Sequence, residues 1–177
     1  MLPLHNPETF SSKAQWLSWL ESLHPSEIDL GLKRINQVFI RLNLPRPKKI
    51  FTVAGTNGKG STVGLLELIA KNQALTVGRY TSPHLIEFNE RICLNGHPVS
   101  DTDLIWGFEQ INIAREDISL TYFEYTTLVA LVLFAHKKLD IWLIEVGLGG
   151  RLDAANCLDT DVAVVTSIAL DHKDWLG

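Results

Sequence analysis

Residues 50–72 constrain this chain most. A short apolar run from Ile50 to Ala54 passes through Gly55-Thr56-Asn57-Gly58-Lys59-Gly60-Ser61 into a helical pattern from Thr62 to Asn72 carried by Leu65, Leu66, Leu68 and Ile69. A strand that turns through glycines into a helix opens a βαβ unit, and such units build mostly parallel sheets flanked by helices.

The rest of the chain agrees with that class. Val77 to Thr81 reads as the next strand, and Ile141 to Val146 and Val162 to Ser167 are nearly continuous apolar runs, as a sheet covered on both faces requires. Asn95-Gly96 inside residues 91–99 predicts a small hairpin. Ser100 with Asp103, and Thr121 with Glu124, are capping signals for helices running to Arg115 and Lys138. Upstream, Ser11 or Ser12 caps a helix with Trp16, Leu17, Leu20 and Leu23 on one face, broken at Pro25. A second pattern, Leu32, Ile35, Val38, Phe39 and Leu42, ends before the linker-like Pro45-Arg46-Pro47-Lys48-Lys49. The expected organisation is a helical segment, 1–49, packed on an α/β unit, 50–177.

Composition bounds what such a domain does. At 177 residues and 46% hydrophobic the chain buries a sizeable core, and a net charge of −4 argues against a nucleic-acid coat. Met1 to Phe10 lacks a secretory pattern, and no apolar run approaches a membrane span. Cys93 and Cys157 have no metal-type spacing and read as free structural thiols, so a cytoplasmic protein is expected.

Ligands of open parallel sheets bind beyond the carboxyl ends of the strands, and the unusual polar residues fall there. In residues 55–62 glycines admit an anion to backbone N–H groups and Lys59 adds positive charge. The fit to the nucleotide loop G-x-x-x-x-G-K-[ST] is imperfect, with Val53 in place of the first glycine and Gly60 between Lys59 and Ser61. An ordinary glycine-rich turn is the plain alternative. Glu145 closes a buried strand before Gly147-Leu148-Gly149-Gly150, where a phosphate-bound Mg²⁺ finds an oxygen ligand. His172 after Asp171 is a metal contact or a surface residue, and Ser82, set in extended geometry by Pro83, faces a site or belongs to a loop. Glu124 has a sufficient explanation as a cap partner, and Arg151 with Asp153 as a loop ion pair.

Taken in order, Ile28-Asp29-Leu30-Gly31-Leu32, the glycine loop 55–61, Tyr80-Thr81-Ser82-Pro83-His84-Leu85, Thr121-Tyr122-Phe123-Glu124, residues 145–153 and Asp171-His172 resemble the folylpolyglutamate synthase and dihydrofolate synthase family within the Mur ligase superfamily. The family's extra glycine accounts for Gly60. The resemblance implies a P-loop domain of Mur ligase type, incomplete at its C-terminal side. It also implies ATP-dependent joining of L-glutamate to dihydropteroate and to reduced folates. ATP would bind Asn57, Gly58, Lys59, Gly60 and Ser61; Ser82 and Glu145 would hold one Mg²⁺, and His172 a second. The pterin-bearing substrate would lie against Asp29, Leu30 and Gly31, against Thr121, Tyr122, Phe123 and Glu124, and against Leu152, Asp153 and Ala154. Lys59, Glu145 and His172 would carry catalysis in a monomer.

Family members are longer, with their carbamylated lysine and C-terminal domain beyond the position of Gly177, so this chain alone is expected to be inactive. Two other readings stay open. A Mur-type peptide ligase is disfavoured by Gly60 and by residues 121–124, and a nucleotide-binding module without chemistry is the other.

Overall fold

The computed structural model of the protein describes residues 10–26 and 28–169. Among these, the strands are β1 (Lys49–Ala54), β2 (Val77–Tyr80), β3 (Ile92–Leu94), β4 (His97–Pro98), β5 (Ile141–Glu145) and β6 (Val162–Val165). They form one sheet in the order β4-β3-β2-β5-β1-β6. Neighbours from β2 to β6 pair in parallel, and the β3–β4 hairpin is joined antiparallel to β2. Asn95 and Gly96 both take positive φ at the hairpin turn, and the Asn95 side chain accepts the Val77 N–H at 2.8 Å, fastening the hairpin to β2.

The helices are α1 (Lys13–Leu23), α2 (Lys33–Leu42), α3 (Lys59–Asn72), α4 (Asp101–Arg115) and α5 (Tyr122–His136). Local signals start them: Ser12 with Gln15, and Thr121 with Glu124, form reciprocal capping boxes, and the Ser100 side chain accepts the Asp103 N–H. Helix α3 packs against β1, β2 and β5, while α5 packs on β2 and is covered in turn by α1, α2 and α4. This explains why α5 is apolar all round: every residue from Glu124 to Ala135 is buried. Trp16 stacks on Phe108 at 5.6 Å and Trp19 meets Tyr125 edge-on at 6.0 Å, so the N-terminal helices share the main core.

Three expectations need correcting. Helix α3 begins at Lys59 rather than Thr62, because Gly58, at φ 86°, turns the chain straight into the first helical residue. Its buried residues are Val63 and Glu67, with Leu66 and Ala70 packed partly against the sheet; Leu65, Leu68 and Ile69 are exposed. The predicted stripe was rotated because the helix is apolar on more than one side. Strand β6 is not covered on both faces: its residues are largely exposed, and it is an edge strand paired only with β1 among the described residues. An apolar run reads alike at the centre and the edge of a sheet. Cys93 and Cys157 are free thiols, as expected, and no described helix is long and apolar enough to cross a membrane.

Gly78 on β2 makes a close approach that only glycine allows, since a Cβ there would sit 2.5 Å from the Phe134 ring of α5. Gly78→Ala is expected to destabilise the protein by about 1–3 kcal/mol through overpacking, read as a lowered Tm; an unchanged Tm would show that the sheet-to-α5 contact yields freely.

Candidate functional site

The carboxyl ends of β1, β2, β5 and β6 lie side by side because these strands are parallel neighbours. From β1 the chain enters the glycine loop. Gly55 has φ 130° and a Cβ on it would collide with the Thr166 side chain, so the loop lies hard against the segment after β6. Thr56 N–H donates to Ser167 O at 2.7 Å, and Asn57 forms a bridge with Ser167. Gly58 then sets the start of α3, whose first amides, at Lys59, Gly60 and Ser61, are those a helix leaves without internal partners. The Lys59 ammonium donates to Gly55 O at 2.8 Å and Thr56 O at 3.2 Å, which holds its charge inside the loop.

Glu145 ends β5 beside this loop. Its Oε2 accepts the Ser82 N–H at 3.3 Å, and a Cβ on Gly60 would lie 3.8 Å from the same oxygen. Burial pushes its carboxyl above the usual range, partly opposed by the Ser82 N–H and by the charges of Lys59 and Arg79. The structure thus brings Lys59, Ser82 and Glu145 together, while His172 lies outside the described residues. The donors offered are hard oxygens, from a hydroxyl and a carboxylate, which suit Mg²⁺ or Mn²⁺. No group of three or more His, Cys, Asp or Glu side chains gathers among the described residues, so ligand and water oxygens would complete the shell of any cation here.

Next to this end opens a cleft of about 910 Å³. Asp29, Leu30 and Gly31 line it ahead of α2, Thr121, Tyr122, Phe123 and Glu124 at the start of α5, and Leu152, Asp153 and Ala154 beyond β5. Ser82 and Pro83 also line it, beside Glu145 and the glycine loop. Asp153 makes no ion pair with Arg151. It is buried, and its oxygens accept the N–H groups of Gly147 (3.1 Å), Leu148 (2.9 Å) and Ala155 (2.8 Å). Burial raises its carboxyl despite these bonds, so it shapes the wall by holding the glycine-rich turn.

Sequence reasoning missed three arginines. Arg91 lines the cleft, its Nε donating to His84 Nδ1 at 2.8 Å and its guanidinium lying over the Phe88 and Tyr122 rings. Arg79 links Glu67 of α3 to Thr81 of the Ser82 loop. Arg34 bonds both Asp29 and Glu124. Arg34 and Glu124 lie 90 positions apart, and no motif spacing announces any of these contacts.

A glycine loop opening a helix at the carboxyl edge of a parallel sheet, with a buried acid beside it and a cleft next to it, is the build of an α/β nucleotide-binding domain. Residues 53–177 match the Mur ligase middle domain, and the chain belongs to that family. It is 53% identical, over all of its length, to the dihydrofolate synthase/folylpolyglutamate synthase of Escherichia coli K12, and 50% identical over 94% of its length to that of Haemophilus influenzae. It spans 42% and 38% of those relatives. E. coli FolC in complex with DHPP and ADP superposes with a TM-score of 0.92 at 55% identity, covering 94% of this chain and 41% of that one. The Yersinia pestis CO92 bifunctional enzyme complexed with AMPPNP and Mn ion gives 0.89 at 55% identity, with the same coverage. The resemblance drawn from the motifs therefore holds.

If Glu145 helps to hold a cation, its raised pKa sets the pH response. Protonation removes the negative charge a cation needs, and burial makes protonation begin above the ordinary glutamate range. Affinity for Mn²⁺ is expected to fall on mild acidification of the full-length enzyme, while Glu145→Gln binds weakly at every pH. A titration in which both proteins give the same pH-independent affinity would exclude the metal role.

Proposed function

We propose that this chain is the ATP-binding part of a ligase that adds L-glutamate to dihydropteroate, forming dihydrofolate, and to reduced folates. The observation that carries this reading is the convergence of Lys59, Ser82 and Glu145 beside the cleft, which Ser82 lines and whose walls include the segments 29–31, 121–124 and 152–154. Solved relatives with DHPP and ADP, and with Mn, AMPPNP and L-glutamate, support it by similarity.

A carboxylate is a poor electrophile and needs activation. In the proposed reaction an acceptor carboxylate oxygen attacks the γ-phosphorus of ATP, releasing ADP and leaving an acyl phosphate. The glutamate amine then attacks the carbonyl carbon, forming the amide and expelling phosphate. The amides of Lys59, Gly60 and Ser61 orient the phosphates, assisted by Asn57 and Gly58, and the Lys59 ammonium offsets the repulsion between two anions. Two Mg²⁺ ions, when bound, would supply further charge neutralisation, one through Ser82 and Glu145 and the other through His172. The cleft walls keep the acceptor in line with the phosphate end and limit water that would hydrolyse the activated acid.

In this reading residues 1–49 buttress the cleft, residues 50–177 form the ATP-binding unit, and the ligase's C-terminal domain lies in the part of the relatives' length that this chain does not span. The enzyme would work as a cytoplasmic monomer.

Lys59→Ala in the full-length enzyme is expected to lower kcat/KM by at least about 100-fold, as loss of a preorganised charge does. The Tm should change little, because the ammonium bonds only carbonyls of its own loop. Unchanged turnover would remove the phosphate-loop assignment.

A further inference from the structure

Among the described residues, Arg91 is the one cationic side chain that lines the cleft; the other charged residues there are Glu21, Asp29, Glu124 and Asp153. A cleft bordered mainly by carboxyl groups repels an anion unless a cation is placed to receive it. Three of those carboxyl groups are already engaged. Arg34 bonds Asp29 and Glu124 from outside the cleft lining, and backbone amides take Asp153. Lys59 is spent as well, since its ammonium bonds carbonyls of its own loop and does not line the cleft. Arg91 has no carboxylate partner among the described residues.

Its surroundings fix how that cation is presented. The Arg91 carbonyl accepts the Thr81 N–H at 2.9 Å, which sets the residue beside Ser82. Its Nε donates to His84 Nδ1 at 2.8 Å, and the guanidinium carbon lies 5.8 Å from the centre of the Phe88 ring and 5.7 Å from that of Tyr122. One corner of the guanidinium is therefore tied and its faces rest on aromatic rings. Neither Nη nitrogen has a hydrogen-bond partner among the described residues, and neither is sealed from solvent. The open edge is the pair of Nη groups, the fork whose geometry matches a carboxylate.

We propose that Arg91 is the anchor for the acceptor's carboxylate: its two Nη groups grip that anion from the cleft wall beside Ser82 and select acceptors that carry it. Identifying the anion as the carboxylate of dihydropteroate rests on the ligase reading above. A carboxylate offers about four lone-pair sites, and a fork fills one on each oxygen. Each oxygen keeps a lone pair for attack on phosphorus. The anchor thus orients the nucleophile without blocking it, and it offsets the carboxyl groups around the cleft as the acceptor enters.

The test uses full-length enzyme carrying this chain and measures equilibrium binding of three ligands, with turnover alongside. The ligands are dihydropteroate, its analogue with hydrogen in place of the carboxyl group, and ATP. The variants are Arg91→Met, whose flexible apolar chain still fills space against Phe88 and Tyr122, and Arg91→Lys, which keeps the charge and loses the fork. Wild-type enzyme is expected to bind the analogue about tenfold or more weaker than dihydropteroate, the scale of lost hydrogen bonds to a charged group. Arg91→Met should weaken dihydropteroate by a similar factor and bind the analogue as the wild type does. Arg91→Lys should recover part of the loss, and ATP affinity should hold in both variants. Equal losses for the two pterin ligands would show that Arg91 only supports the wall, and a loss of ATP affinity would show that its anion is a phosphate; either result overturns the proposal. So does a wild-type enzyme that binds the analogue as tightly as dihydropteroate. Should Arg91→Met fail to fold, the wild-type comparison and Arg91→Lys decide it. Wild-type enzyme that binds dihydropteroate without forming dihydrofolate would sink the ligase reading, and the affinities would still judge Arg91. Wild-type enzyme that binds no pterin would overturn both.

Discussion

Parallel pairing of β1 with β5, which sets Val53 opposite Glu145, is the constraint on which the site depends. It places the first residues after β1, the glycine loop, beside the last residue of β5. Pairing of β2 on the other side of β5 then brings Ser82 within hydrogen-bonding distance of the same carboxylate. A shift of one residue in either register would turn Glu145 to the other face of the sheet, because side chains alternate along a strand. The clustering of Lys59, Ser82 and Glu145 is thus a consequence of sheet register, and the apolar bulk of α5 and α3 on the two faces is what holds that register.

The cleft depends on a different kind of contact. Its walls come from segments that share no strand, and polar bonds join them: Arg34 to Asp29 and Glu124, and Asp153 to the turn after β5. Such bonds in a partly dry setting hold geometry more than they add net stability, since each replaces bonds to water. A division of labour follows, with apolar packing supplying stability and a few saturated polar groups fixing the shape that a ligand meets. Glu124 belongs to both, its Oε2 closing a helix cap and holding Arg34 while its side chain is buried in the first turn of α5.

Much of this was legible in advance because its signals are local. Strand runs, caps and the Asn95-Gly96 turn each act within a few residues, and their elements formed where expected. The start of α3 was misplaced by three residues, since the left-handed turn at Gly58 starts the helix at once. The buried side of α3 and the exposure of β6 were misread, because an apolar side chain does not carry the information of what lies over it. Glu124 is the cap partner its spacing announced, and its bond to Arg34, 90 positions away, was visible only in the fold.

The sequence by itself determined the element order, the parallel α/β class and the glycine loop between β1 and α3, since these follow from periodicity, caps and glycines acting over short distances. Tertiary structure alone decided that Lys59, Ser82 and Glu145 gather beside a cleft, that Asp153 is spent on backbone amides, and that Arg34 reaches Glu124. Those relations join residues far apart along the chain, and their energies come from burial and direction, which exist only once the sheet has brought its strand ends together.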